Sequence, residues 1–188
     1  SEAFPKGLAN SSDQVGRNYI RHNQSVLMAI TRESNDTIFQ KTVGVSDFYF
    51  GANDWEFPLG LIQMTGKSHA DTLRGEALPD WLEWLPEKPF EYIARHSLDF
   101  WLSSEDLPRP ENRIHYDGDR VVVEQTDNNM EAHRRLKAKL ESLLEPMGAH
   151  PQLLERTRYL GKDIPIGGIA HQAGTARFGT DPKISVLD

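Results

Sequence analysis

Short runs of branched and aromatic residues, separated by turn-forming residues, fill the chain between Gln24 and Gly66. Such runs are typical of β-strands, and glycine, proline and Asn-Asp pairs between them predict turns. The predicted strands are Ser25–Ile30, Thr37–Val43, Phe48–Phe50 and Leu59–Thr65. This part of the chain therefore predicts a sheet of several short strands.

Two further segments predict strands by alternation and by turn chemistry. Arg95–Ser103 alternates between apolar and polar positions, which predicts a half-buried strand with His96 on its apolar side. Arg113–Tyr116 and Arg120–Glu124 flank an Asp117-Gly118 pair, which supplies the positive φ of a tight turn. The second segment is therefore expected to form a β-hairpin.

One helix is predicted from about Asn129 to Met147, with Asp127 or Asn128 able to cap its start and Gly148 able to end it. Charged residues occupy most of the helix surface outside a single apolar stripe, so the helix is expected to lie with that stripe on a sheet. His133 is expected on the solvated side or edge of the helix. The stripe consists of Leu136, Leu140, Leu143, Leu144 and Met147. Antiparallel strands followed by such a helix predict an α+β fold.

Length, charge and cysteine content narrow the class of protein. The 188 residues suffice for one domain without disulfides, and the absence of cysteine excludes disulfides and thiolate zinc sites. Lys and Arg number 21 against 28 Asp and Glu, a net charge of −7 that argues against nucleic-acid partners. No long apolar run or signal segment occurs, so we expect no membrane partner and a cytoplasmic protein.

Several ligand motifs are absent from the chain. It contains no G-x-G triplet, no phosphate-binding GxxxxGK[ST] loop, no HExxH pair and no EF-hand loop. The histidines show no pairwise spacing typical of a metal site, so none is expected. Glu105 and Asp106 form an acidic pair that we interpret as a solvated turn.

The glycine-rich stretch from Gly161 to Asp188 is the most promising place for chemistry. It contains His171, and histidine side chains in general exchange protons with hydroxyl groups near neutral pH. Glycine allows the surrounding backbone to approach a ligand closely. The residues alone leave two interpretations open, an acid–base residue or a structural histidine satisfied by a backbone carbonyl.

Three segments carry a resemblance to a known family. His171–Asp188, HQAGTARFGTDPKISVLD, resembles the H-x-x-G-T-x-x-x-G-x-D-P-x-x-S-V-x-D signature of the glucose–methanol–choline (GMC) oxidoreductases. Val15–Asn23 resembles the family's G-x-N-x-x-x-H segment, and Trp101–Ile114 resembles the stretch that leads into its substrate-domain hairpin. The matches follow the family's order and cover about 170 residues, judged from order and spacing.

The resemblance implies a function and a set of site residues. It implies oxidation of an alcohol or sugar hydroxyl with FAD as cofactor, and His171 as the base that removes the hydroxyl proton. Gly174 and Thr175 would shape the turn near the flavin, and Asn18 and His22 would lie close to the flavin domain. The family's substrate domain is an antiparallel multi-stranded sheet with helices packed on one face, which agrees with the α+β prediction.

The chain also departs from the family's pattern. Arg21 stands where the family often has an acid, and Ala176 and Phe178 stand where Cys or Met is common. The family's FAD-binding G-x-G-x-x-G unit and the second catalytic residue beyond Asp188 are missing. We therefore expect an internal piece of a GMC protein, inactive by itself, with residues 1–23 as a lead-in and 24–188 as the substrate-binding domain.

The expected partners follow from that interpretation. They are a small alcohol or sugar, the FAD-binding domain of the same protein, and a second copy of the chain through surface that the flavin domain would otherwise cover. The alternative is a stand-alone, non-catalytic binding module derived from the substrate domain. Retention of His171 within an intact H-x-x-G-T segment favours the enzyme interpretation.

Overall fold

A computed structural model of the chain describes residues 3–39, 41–77, 84, 86–147, 154–155 and 168–188. These residues form antiparallel strand pairs and a few helices, an α+β fold as predicted. They divide into two compact units. Unit 1 takes the described residues of Ser1–His22, Asp106–Asn129 and Ala170–Asp188; unit 2 takes those of Asn23–Glu105 and Met130–Ile169.

Unit 2 contains a five-stranded sheet. Its strands are β1 (His22–Ile30), β2 (Gly44–Val45), β3 (Leu61–Met64), β4 (Ser97–Glu105) and β7 (Leu154–Glu155). They are ordered β2-β3-β4-β1-β7 across the sheet. The central pair β3–β4 is antiparallel, with Leu61 opposite Ser103 and Met64 opposite Phe100.

Among the described residues, three helices accompany this sheet. They are α1 (Ala70–Ala77), α2 (Lys88–His96) and α3 (Met130–Leu144), the last followed by a 3₁₀ turn at Glu145–Met147. Within the described residues, none of the helices combines the length and the apolar character that a membrane crossing needs.

The helices pack against both faces of β1, so the expectation of helices on one face is wrong. Successive side chains of a strand point to opposite faces. Leu27 and Ala29 belong to the main apolar core, together with the buried leucines of α3. Met28 belongs instead to a second cluster with Leu73 of α1 and Ala94 of α2. Because β1 is apolar on both faces, each face needs a cover.

The predicted strands are confirmed in part. Ser25–Ile30 lies within β1, and Leu59–Thr65 contains β3. The prediction for Thr37–Val43 is wrong for its described residues, and Phe48–Phe50 is a turn rather than a strand. Strand propensity alone does not supply a partner strand, and the backbone of Tyr49 bonds locally to Ser46 instead.

The strand predicted at Arg95–Ser103 is confirmed as β4 from Ser97 onwards, whereas Arg95 and His96 belong to α2. The prediction that this strand is half-buried is wrong. Its polar side is buried where the strand begins, because Ser97 and Asp99 are both fully buried. Asp99 accepts hydrogen bonds from the Ser68 hydroxyl at 2.7 Å and from the Ser97 hydroxyl at 3.1 Å. The polar residues of an alternating strand can therefore be buried in the protein when neighbouring hydroxyl groups form hydrogen bonds with them.

The predicted helix is confirmed as α3, with an amended buried face. Leu136, Leu140 and Leu144 are buried as expected, whereas Leu143 and Met147 are exposed. Gly148, the expected end of the helix, lies outside the described residues.

His133 of α3 is buried, which corrects the prediction of a solvated position. Its Nε2 lies 2.7 Å from the Ser25 hydroxyl and its Nδ1 lies 2.8 Å from the Ser104 hydroxyl. The histidine therefore joins α3 to β1 and β4 by polar contacts.

The predicted hairpin is confirmed in unit 1. It consists of β5 (Arg113–Asp117) and β6 (Arg120–Glu124), paired from Arg113↔Glu124 to Asp117↔Arg120. Gly118 has φ +65 and has nothing within 4 Å of the place where a Cβ would stand. The sequence interpretation divides the chain after residue 23, whereas the structure groups the described residues up to 22 with the hairpin and the C-terminal segment.

We expect His133→Ala to lower the free energy of unfolding by about 2–4 kcal/mol, because it leaves a cavity and a buried Ser104 hydroxyl without this partner. Urea denaturation of the 188-residue chain measures the change. Arg134→Ala, at the exposed neighbouring position, is the matched control and should change it by less than about 0.5 kcal/mol. Equal effects of the two substitutions would contradict a structural role for His133.

Candidate functional site

Two of the three segments that carry the resemblance lie side by side in unit 1, at residues 16–20 and 173–175. The N–H of Gly16 donates to the carbonyl of Thr175 at 2.9 Å. Ile20 and Ala173 exchange two backbone hydrogen bonds of 3.0 Å each. Residues from opposite ends of the chain are thereby held as an antiparallel pair.

The β-hairpin supports the other side of the N-terminal segment. The N–H of Tyr19 donates to the carbonyl of Asn112, and the N–H of Ile114 donates to the carbonyl of Gly16, both at 2.8 Å. Residues 16–20 therefore have backbone partners on both sides. Main-chain pairing of this kind fixes the positions of the residues between the bonds.

Gly174 allows the two motif segments to touch at the level of their backbones. Its φ is +91, and a methyl group added to its Cα would overlap the carbonyl oxygen of Asn18. Only glycine avoids both the left-handed strain and this overlap. The role expected for Gly174, shaping the local turn, thus has a direct physical reason.

Asn18 and His171 both adopt the left-handed backbone conformation, each with φ +60. Such values are uncommon outside glycine, although asparagine and histidine tolerate them better than most residues. Strained backbone persists where surrounding contacts hold it, and it concentrates at functional sites. Here the contacts that hold it are the backbone pairs around Ile20 and Ala173.

The imidazole rings of His22 and His171 face each other. Their centroids are 5.2 Å apart and their planes meet at 89°, an edge-to-face arrangement. His171 is exposed and His22 is half-buried, so a ligand in solution can reach the outer ring. The two histidines form the chemically reactive part of the candidate site.

All five site residues expected from the resemblance lie in unit 1. Asn18 is buried and touches Gly174 through its carbonyl, and Thr175 is half-buried next to it. The structure brings together the segments of His171, Gly174, Thr175, Asn18 and His22; their chemical roles stay predictions. Gly161–Gly167, the first part of the glycine-rich stretch, lies outside the described residues.

A buried polar cluster adjoins these residues along the chain. Arg21 and Asp127 form an ion pair of 2.6 Å, and the arginine side chain is largely buried. Asp106 is buried as well, and it accepts hydrogen bonds from the backbone N–H groups of Arg21 and Leu107. Arg21, noted as a departure from the family, is therefore part of the framework of unit 1.

Burial sets the protonation chemistry of this cluster. It raises the pKa of Asp106, and the two backbone hydrogen bonds and Arg21 oppose that effect only in part. Burial also raises the pKa of the Tyr19 phenol. The Asp106 Oδ2 and Tyr19 hydroxyl oxygens are buried without a hydrogen-bond partner among the described residues.

The prediction of a solvated turn at Glu105 and Asp106 is wrong for Asp106, which is 4% exposed. Glu105 is exposed as expected, but it is the last residue of β4 rather than part of a turn. The local sequence is acidic and rich in proline, and it gives no signal of burial. The groups that act on the buried carboxyl include Arg21 and Asp127, which lie far from Asp106 along the chain.

No cluster of three or more histidine, aspartate or glutamate side chains suited to a metal occurs within the described residues. No protein-family model matches the chain, and no curated protein matches it. Function is therefore inferred from the motif residues and their geometry.

We expect Gly174→Ala to destabilise unit 1 by about 2–4 kcal/mol, through left-handed strain and overlap with the Asn18 carbonyl. Gly118→Ala is the matched control, because its φ is also positive but its surroundings are open. Gly118→Ala should lower the free energy of unfolding by only about 1–2 kcal/mol. Denaturation of both variants measures the difference, and equal losses would contradict a close contact at Gly174.

We expect Asp106 and Asp13 to affect pH-dependent stability with opposite signs. Because the pKa of Asp106 is raised, the folded chain holds the proton of this carboxyl more tightly than the unfolded chain does. The contribution of Asp106 to the free energy of unfolding therefore falls as pH rises from about 4 towards neutrality. Arg17 lowers the pKa of Asp13, so the contribution of Asp13 to the free energy of unfolding rises with pH over the acid range.

The measurement is the free energy of unfolding against pH for the natural chain, Asp106→Asn and Asp13→Asn. The stability of the natural chain relative to Asp106→Asn should decrease with pH, and relative to Asp13→Asn it should increase. A flat curve for Asp106→Asn, or one of the same sign as that for Asp13→Asn, would contradict a raised pKa of Asp106.

Proposed function

We propose that the chain is the substrate-binding portion of an FAD-dependent oxidoreductase of the GMC type, which oxidises an alcohol or sugar hydroxyl. The observation that supports this best is the pairing of the two family-like segments. It sets the exposed imidazole of His171 beside His22, on a backbone that Gly174 and Asn18 hold in place.

His171 has the position of a base in this proposal. Its ring is exposed at the edge of the site, so a hydroxyl group of a substrate can approach it. Removal of the hydroxyl proton by a neutral imidazole places negative charge on the oxygen, which makes loss of hydride from the adjacent carbon easier. FAD, when bound, supplies the hydride acceptor.

In this proposal Thr175 and His22, both half-buried, lie near the ring end of FAD. Gly174 contributes through its close backbone contact with Asn18, which sets the turn that carries Thr175. Asn18 is buried and would contribute by fixing that turn. The sequence has no G-x-G triplet, so we assign the phosphates to the FAD-binding domain of the same protein.

The protein setting follows from the same proposal. The partners are a small alcohol or sugar and the FAD-binding domain. We propose a cytoplasmic location because the chain contains no cysteine and so none of the disulfides that are common in exported proteins. The 188-residue chain alone is expected to bind FAD weakly and to show no turnover. Tight FAD binding by this chain, seen as quenched flavin fluorescence, would contradict the division of the cofactor site.

We expect His171→Ala, made in the flavoprotein that carries this chain, to slow flavin reduction by roughly 10²–10⁴-fold, because the hydroxyl proton loses its acceptor. Stopped-flow bleaching of the flavin with excess substrate measures the rate, and the flavin content of the variant should stay normal. His69→Ala, at another exposed histidine, is the control and should leave the rate unchanged. A normal rate for His171→Ala would exclude the proposed role.

A further inference from the structure

The outer edge of β6 is free of strand partners within the described residues. β5 is paired on its other side, because Ile114 donates its N–H to Gly16 rather than to β6. Hydrogen-bonding directions alternate along an antiparallel strand, so Arg113, His115 and Asp117 are the residues that bond to β6. Their partners are Glu124, Val122 and Arg120.

The same alternation fixes which backbone groups of β6 point outwards. Because Arg120, Val122 and Glu124 bond to β5, the N–H and C=O groups of Val121 and Val123 point away from the hairpin. An exposed edge of this kind is a template for another strand. Val121 and Tyr116 also share one face of the hairpin and are 65% and 69% exposed.

The sequence of β6, Arg-Val-Val-Val-Glu, is complementary to itself in charge. When two copies run antiparallel about a two-fold axis at Val122, Arg120 of each copy stands opposite Glu124 of the other. Charged side chains normally protect an edge strand from pairing. In this register they attract, and opposite charges directly across a strand pair stabilise it.

The register also continues the charge pattern of the hairpin. Within one copy, Glu124 contacts Arg113 at 2.8 Å and Arg120 contacts Asp117 at 3.7 Å. Across two copies, each row would read Arg113, Glu124, Arg120 and Asp117, with the sign alternating at every step. Registers centred on Val121 or Val123 place Arg120 opposite an uncharged residue and lose this match.

We propose that β6 is a self-association edge, on which two copies of the chain pair antiparallel about Val122 to form a four-stranded sheet. Four backbone hydrogen bonds from Val121 and Val123, two Arg120–Glu124 rows and an apolar face around Val121 hold the copies together. Five-residue strands bury less area than a standard interface, so the dimer is weak and depends on concentration.

Disulfide trapping tests the register directly, because the natural chain has no cysteine. In the proposed pair, the two Val122 residues are a non-hydrogen-bonded pair with Cα atoms about 4.5 Å apart, which is within disulfide range. Val122→Cys should therefore form a covalent dimer under mild oxidation. Val121→Cys is the matched control; it is at least as exposed, but it faces Val123 of the other copy, and it should not cross-link.

Sedimentation equilibrium of the 188-residue chain provides a second readout. Arg120→Glu places like charges in both rows and should weaken the dimer roughly tenfold or more. Arg134→Glu is the control, because Arg134 is similarly exposed and also pairs with an acid three residues earlier, but it lies on α3.

The outcomes separate clearly. Cross-linking of Val122→Cys alone, with weakening by Arg120→Glu alone, supports the proposal. A chain that stays monomeric at high concentration overturns it, as does a dimer that the two charge reversals weaken equally. Equal cross-linking of the two cysteine variants, or cross-linking of Val121→Cys alone, also overturns it.

Discussion

The backbone contact between Gly174 and Asn18 is the constraint on which the candidate site depends. Glycine at this position lets residues 173–175 pair with residues 16–20, and a larger side chain would push them apart. The pairing in turn holds Asn18 and His171 in their left-handed conformations and sets the two imidazole rings edge to face. One small residue therefore controls the geometry of a site built from both ends of the chain.

Elements with strong local signals could be predicted from the sequence. The hairpin follows from Asp117-Gly118 between two apolar runs, and α3 follows from leucines at helical spacing. The runs at 37–43 and 48–50 have similar composition, but the described residues there form no strand, although Met64 of β3 donates its N–H to the carbonyl of Val43 at 2.9 Å. Strand formation is decided by partners that local sequence does not specify.

In the candidate site, too, the local sequence predicts some features, whereas others depend on contacts between residues that are far apart along the chain. The resemblance identified three segments, and the structure joins residues 16–20 of the first to residues 173–175 of the last through backbone bonds that no spacing rule supplies. Burial of Asp106 and His133 could not be predicted, because their neighbours come from distant strands and loops. Polar residues are normally solvated, and only tertiary contacts such as those of Ser25 and Ser104 with His133 reverse that expectation.

The nuclear Overhauser effect between the ring protons of His22 and His171, together with that between the backbone protons of Ile20 and Ala173, tests the two-segment site most directly. Both should be observed, because the ring centroids are 5.2 Å apart and Ile20 and Ala173 exchange hydrogen bonds of 3.0 Å. Gly118→Ala should preserve both signals, whereas Gly174→Ala should remove them. Absence of both signals from the folded natural chain would contradict the site and the function inferred from it.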